Sequence, residues 1–270
     1  MRDCSSSVFS PAAAVAVVIP CYRARATIAS VLHAIPPEVA AIYVVDDGCP
    51  NGSGDVALNE CRDPRLTVLR NGRNLGVGGA VKAGYRRALA DGAEIVVKLD
   101  ADGQMDPRHI PLLIAPILAG RADYAKGNRF AAPELMPPGA RGGLASMPRR
   151  RWIGNSSLSL LHGLATGYWD VADPANGYTA IDARMLSRMG VDAVADCFFF
   201  ETDMLHRLNL SGARVVEVPL PAFYPGTGST LSLRRVAPRF AGLIVSRSLG
   251  RLRARRRRGG GPAAAVPTRA

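Results

Sequence analysis

Four short apolar runs, spaced along the first hundred residues, constrain this chain more than any other feature. Val15 to Ile19, Ile42 to Val45, Leu66 to Leu69 and Glu94 to Leu99 are rich in Val and Ile and too short for helices, as strands buried on both faces of a parallel sheet are. Between the first two, Thr27 can cap a helix carrying Ile28, Val31, Leu32 and Ile35, which Pro36-Pro37 ends. Between the third and fourth, Gly76 to Ala90 supplies another helix. The order βαβαβαβ predicts right-handed crossovers and an α/β fold with a Rossmann-like, mostly parallel central sheet flanked by helices.

Ligands of such sheets bind outside the carboxyl ends of the strands. Here those ends are Pro20-Cys21-Tyr22, Asp46-Asp47-Gly48, the stretch Asn71 to Asn74, and Asp100-Ala101-Asp102-Gly103-Gln104. Two carboxylates flanking one small residue, Asp100 and Asp102, can hold Mg²⁺ or Mn²⁺ against a diphosphate, since these hard cations bind through one or two carboxylates plus phosphate oxygens. An isolated D-x-D is weak evidence, because such pairs are common in solvated turns. Asp46 is suited to accept hydrogen bonds from a uracil or guanine ring and Asp47 to help hold a ribose; the alternative is an ordinary Asp/Gly turn. Asn74 to Ala80 lacks the Lys-Ser/Thr of a phosphate-binding P-loop and reads as a close-packed helix start beside the nucleotide.

Beyond about residue 130 the pattern loosens. A Pro/Gly-rich loop from Pro133 to Pro148 is followed by an amphipathic segment from Trp152 to Leu164, a turn from Asp173 to Tyr178, and a short strand around Thr179 to Ile181. Glu201 to Leu210 then reads as a helix and Arg214 to Val218 as a strand. The net charge of +12 is concentrated: eleven arginines and no acid lie from Arg234 to Ala270, while the rest holds 23 basic against 22 acidic residues. This excludes a basic folded surface and leaves the run Arg255 to Arg258 as the anchor of a rival reading, a nucleic-acid-binding protein. Five cysteines without C-x-x-C spacing point to reduced thiols in the cytosol. Arg2 and the apolar stretch from Pro11 to Ile19 imitate a signal peptide, yet that stretch runs straight into the first expected strand.

In order along the chain, Val18-Ile19-Pro20-Cys21-Tyr22, Asp46-Asp47-Gly48, Asn74-Leu75-Gly76, Asp100-Ala101-Asp102-Gly103-Gln104, Lys126-Gly127-Asn128-Arg129-Phe130 and Asp173-Pro174-Ala175-Asn176-Gly177-Tyr178 form a set that resembles the family-2 glycosyltransferases of the GT-A fold. The likeness is greatest to the branch of dolichyl-phosphate mannose synthase and polyprenyl-phosphate hexose transferases. It covers roughly residues 14 to 235. The resemblance implies a UDP- or GDP-sugar site lined by Pro20, Tyr22, Asp46, Asp47, Asn74, Gly76, Asp100, Ala101 and Gln104, with Asp100 and Asp102 on Mg²⁺ or Mn²⁺. It places Asp102, Glu201 and Arg129 among the catalytic residues, and Arg129, Tyr224 and Ser229 near the acceptor. For Arg129 the alternative is a strand-end salt bridge.

Members that glycosylate hydroxyl groups often carry a Glu-Asp pair at the start of a helix ending in Arg-Leu. Aligned on Arg207-Leu208, Glu201 takes the second, basic position and Phe200 the first. An acceptor that is already a phosphate anion needs little help from a base, so the incomplete pair suits a polyprenyl phosphate. Transfer to a hydroxyl in polysaccharide or glycolipid synthesis is the alternative, and helix capping is the plain structural reading of Glu201. The expected organisation is a flexible 1–13, a catalytic domain over 14–230, a basic amphipathic segment over 231–252 and a disordered Arg-rich tail over 253–270. Apolar residues from Leu231 to Leu249 interleave with arginines there, as in a segment lying on an anionic membrane surface. The location expected is the cytoplasm, peripheral to the inner face of the membrane, with no specific nucleic-acid partner.

Overall fold

The computed structural model describes residues 13–131, 135–136, 162–197, 199–221, 242, 245 and 247. Its first half alternates as expected: β1 (Val15–Cys21), α1 (Ile28–His33), β2 (Ala41–Asp46), α2 (Ser53–Glu60), β3 (Leu66–Arg70), α3 (Gly76–Ala90) and β4 (Ile95–Lys98). Then come α4 (Ile110–Leu118), β5 (Tyr124–Asn128), β6 (Thr179–Asp182), α5 (Ala183–Met189), α6 (Phe200–Leu210) and β7 (Val215–Pro219). The strands form one sheet in the order β3-β2-β1-β4-β6-β5-β7.

β1 pairs in parallel with β2 and β4, and β2 with β3, so these four strands end at one edge. The mostly parallel character is as expected; the reversal at β6, antiparallel to both β4 and β5, is not something the apolar pattern announces. β7 is parallel to β5. The ladder sets Lys126 of β5 opposite Thr179 of β6, so the long connection between these strands leaves and returns at adjacent positions.

Each face of the sheet has its own core. Val15, Val17 and Ile19 of β1 turn toward α1, α2 and α4, whereas Ala16 and Val18 turn toward α3, α5 and α6, as a period of two demands. Fully burying such Val, Leu and Ile side chains contributes about 1.5–3 kcal/mol each. α3 approaches closely because Gly84 has no Cβ, which would collide with Val18. Phe200 joins this second core, its ring tilted against Tyr85 at 6.5 Å between centroids.

Thr27 precedes α1 as expected, but its hydroxyl makes no cap; it donates to the Ala101 carbonyl at 2.6 Å and ties α1 to the loop after β4. Among the described residues no helix is long and apolar enough to cross a membrane. The loop Pro133 to Pro148, most of the segment Trp152 to Leu164, residues 1–12, and the stretches 231–252 and 253–270 lie outside the described residues. The exceptions are 135–136, the helical turn 162–166, and helical positions 242, 245 and 247.

Candidate active site

Asp46 closes β2 opposite Cys21, and Asp100 follows β4, whose Lys98 lies opposite Val18. β1 runs between them. The expected acids therefore share one sheet edge, two strand spacings or about 10 Å apart. Asp46, 5% exposed, accepts the Cys49 N–H at 2.8 Å on one oxygen and the Gly54 N–H at 3.1 Å on the other. A carboxylate has further lone pairs, so a nucleobase donor is not shut out. The loop after β1 is bound to the same structure: the Arg23 N–H donates to the Cys49 thiol and the Ala24 N–H to Ser53 Oγ. Arg23, at φ 56°, is the one non-glycine residue at positive φ among those described, and such strain gathers at ligand sites. Tyr22 beside it is 40% exposed.

Asp47 has a different employment from its neighbour. It accepts from Asn71 Nδ2 at 2.7 Å, the Leu75 N–H at 2.9 Å and the Gly76 N–H at 2.9 Å, binding the start of α3 to β2. Asn74 Oδ1 also accepts the Gly76 N–H. Gly76 itself has φ +83° and faces the Asp196 carbonyl, where a Cβ would stand 2.7 Å away. These contacts fix the loop before α3 against the end of β2.

After β4 the chain turns through Ala101, which is buried, to Asp102, whose Oδ1 accepts the Gln104 N–H at 2.9 Å. Asp102 is exposed at its surface, yet partial dehydration raises its pKa above the ordinary aspartate value, and the Asp100 charge adds to this. Asp100 Oδ1 accepts from Lys98 Nζ at 2.7 Å. Both acids thus offer hard oxygens at an open strand end. Among the described residues no three His, Cys, Asp or Glu side chains gather round one point. The pair therefore fits a Mg²⁺ or Mn²⁺ ion that completes its shell with water and diphosphate oxygens.

Behind these acids lies a row of charges in which Glu201 and Arg129 were expected and the roles of Lys98 and Lys126 were not. Lys98, 2% exposed, also donates to the Gly177 carbonyl at 3.2 Å and pairs with Glu201 Oε1 at 3.0 Å. Lys126, fully buried, donates to the Asn176 carbonyl and lies 3.5 Å from Glu201 Oε2. Burial alone pulls both ammonium pKa values down; for Lys98 the charges of Asp100 and Glu201 outweigh it and the net shift is upward. For Lys126 the downward shift remains. Glu201, 14% exposed in the first turn of α6, is therefore gripped by two lysines. Arg129 makes the strand-end salt bridge: Nε and Nη2 reach the two oxygens of buried Asp173 at 2.6 and 2.7 Å. Glu217 of β7 receives the Asp173 N–H and Asn128 Nδ2 at 2.8 and 2.6 Å. Tyr224 and Ser229, expected at the acceptor, lie outside the described residues. The signal for the lysines was available: both interrupt strands that are otherwise apolar or small, and a buried lysine requires a partner.

Residues 16–188 match the family model of glycosyl transferase family 2. An undecaprenyl-phosphate mannosyltransferase of Micrococcus luteus is 32% identical over 214 residues, 76% of this chain and 82% of the relative. A polyprenol monophosphomannose synthase of Mycolicibacterium smegmatis is 31% identical over 210 residues, 76% and 75% of the two chains. Among solved structures, glucosyl-3-phosphoglycerate synthase of Mycobacterium tuberculosis, in complex with Mn²⁺, UDP and glucosyl-3-phosphoglycerate, superposes with a TM-score of 0.63. That match covers 87% of this chain and 80% of that one at 19% identity, a likeness of fold.

Proposed function

This chain belongs to glycosyl transferase family 2 and is a nucleotide-sugar-dependent glycosyltransferase of the GT-A fold, and from that premise we propose that it moves a hexose from a UDP- or GDP-sugar to a polyprenyl phosphate. The acceptor oxygen attacks the anomeric carbon as the bond to the nucleoside diphosphate breaks, inverting that centre. One observation carries the reading: Asp46 and the Asp100/Asp102 pair, distant in sequence, stand at one edge of the sheet on either side of β1. Asp46 is assigned to the base, with Pro20 and Tyr22 beside it, and Asp47, Asn74 and Gly76 to shaping the nucleotide loop. Gln104 is assigned to the sugar. When bound at Asp100 and Asp102, Mg²⁺ or Mn²⁺ supplies positive charge opposite the departing diphosphate.

The phosphate acceptor is favoured over a hydroxyl by Glu201. The acid at the base position faces Lys98 and Lys126, an arrangement that suits an acceptor already ionised. The mannosyltransferases of similar sequence point the same way. Tyr224 and Ser229 are assigned to the acceptor side, and segment 231–252 to contact with an anionic membrane on its cytoplasmic face. Arg247 pairs with buried Asp203 of α6 at 2.7 Å, which sets that one arginine against the catalytic body.

Thermal unfolding with UDP, GDP and their sugars, with and without Mn²⁺, tests the donor half, since a ligand binding only the folded state raises its stability. A metal-dependent rise with one nucleotide is expected. No rise with any, together with no release of UDP or GDP in the presence of undecaprenyl-phosphate vesicles, overturns the reading.

A further inference from the structure

Behind Asp100 runs a row of charges in which the two buried lysines have no assigned contact to donor or acceptor, and its order is informative. Asp100, Lys98, Glu201 and Lys126 alternate in sign, each pair within ion-pair distance of the next. The three protons of the Lys98 ammonium are matched by three acceptors: Asp100 Oδ1, Glu201 Oε1 and the Gly177 carbonyl. Lys126 reaches the carbonyl of Asn176, the residue before, so two lysines sharing Glu201 grip two consecutive carbonyls.

We propose that Glu201 and Lys98 are positioning residues for Asp100: Glu201, on the first turn of α6, holds the Lys98 ammonium, and Lys98 holds one oxygen of Asp100. The orientation of Asp100 at the nucleotide edge is then set by a helix on the opposite side of the acid. Glu201 acts through Lys98, as an anchor behind the site and not as a proton acceptor in the transfer. The geometry supports this in two ways. Lys98 is 2% exposed, so it is closed to substrate. Gly177 passes so near that a Cβ there would collide with Asp100 Oδ2 and Lys98 Nζ, leaving the pair one arrangement.

The inference rests on the donor site proposed above, and the test separates the two. The full chain, Glu201→Gln and the charge-neutral double variant Lys126→Met/Glu201→Gln are compared by crystal structure and by titration with Mn²⁺ and UDP or GDP. Glu201→Gln is expected to turn the Asp100 carboxylate from its wild-type rotamer and to weaken metal-dependent nucleotide binding by about 10- to 100-fold, the usual effect of losing a residue behind a metal ligand. The KM for undecaprenyl phosphate should stay within about twofold of the wild type. The double variant covers the case in which Lys126, left without a carboxylate when Glu201 is neutralised, prevents folding, since it keeps the Lys98–Asp100 pair. An unmoved Asp100 with unchanged nucleotide binding and a collapsed kcat makes Glu201 a base and overturns the proposal. If the wild type binds no nucleotide, the donor reading falls, and the Asp100 rotamer alone decides whether Glu201 and Lys98 position it.

Discussion

Gly177 occupies a point where nothing larger than hydrogen fits between the backbone and the Lys98–Asp100 pair. Gly177→Ala is expected to leave a folded protein whose nucleotide release is about 100-fold slower, because displacement of a reacting group by 1 Å costs roughly that much. Steady-state turnover measures it. Asp173, 1% exposed and held by both arms of Arg129, answers to a different assay. Removing one partner of a buried ion pair costs about 3–5 kcal/mol, so Asp173→Asn should lower the urea midpoint accordingly. His162 is buried beside Lys126, and burial first, then that charge, brings its pKa down from 6.5 to about 3. The folded state then binds fewer protons than the unfolded state below pH 6.5. Stability is full above that pH and is lost as pH falls toward 3, with a limiting slope of about 1.4 kcal/mol per unit. His162→Asn should flatten the part of this slope between pH 6.5 and 4.5 in urea titrations.

At the scale of elements, α3 shows propensity and packing in opposition. Gly84→Ala improves helix propensity by about 1 kcal/mol, yet the new methyl meets Val18 and Val45. Overpacking of this kind costs about 1–3 kcal/mol, so a net loss of stability is expected in urea unfolding. The same element was fully legible in sequence, with α3 running from Gly76 to Ala90 as its periodicity indicates. β1, β2 and β4 were legible too, because strands covered on both faces have to be apolar, and β3 was legible as a shorter apolar run at the sheet edge. β5 was not: Tyr-Ala-Lys-Gly-Asn is no apolar run, and its lysine is buried only because Glu201 arrives from α6, more than seventy residues later. α4 was not read from the sequence; Pro111 and Pro116, residues that ordinarily interrupt helices, sit at its first turn and inside it. The acids at the strand ends could be read one by one. Their charge partners could not, since Lys98 of β4 and Lys126 of β5 converge on Glu201 only through the placement of β6 between those two strands.

Across the whole molecule, charge separates a balanced body from an Arg-rich end. If segment 231–252 and the tail contact anionic lipid, sedimentation with phosphatidylglycerol vesicles should carry the chain down at low salt and release it as salt rises, each Arg at the surface contributing about 1 kcal/mol. Truncation after residue 230 should abolish co-sedimentation; persistence of binding after truncation assigns the lipid contact to the body. The reversal at β6 has a consequence of another kind. Because β5 ends and β6 begins at the same rim, residues 129–178 form an excursion that departs and lands on neighbouring strands. Lengthening such a detour disturbs no ladder and costs only about 0.6 kcal/mol for each doubling. Descendants of this chain are thus expected to vary within that detour and not at its two ends, where Asp173 grips Arg129 and the Gly177 carbonyl holds Lys98.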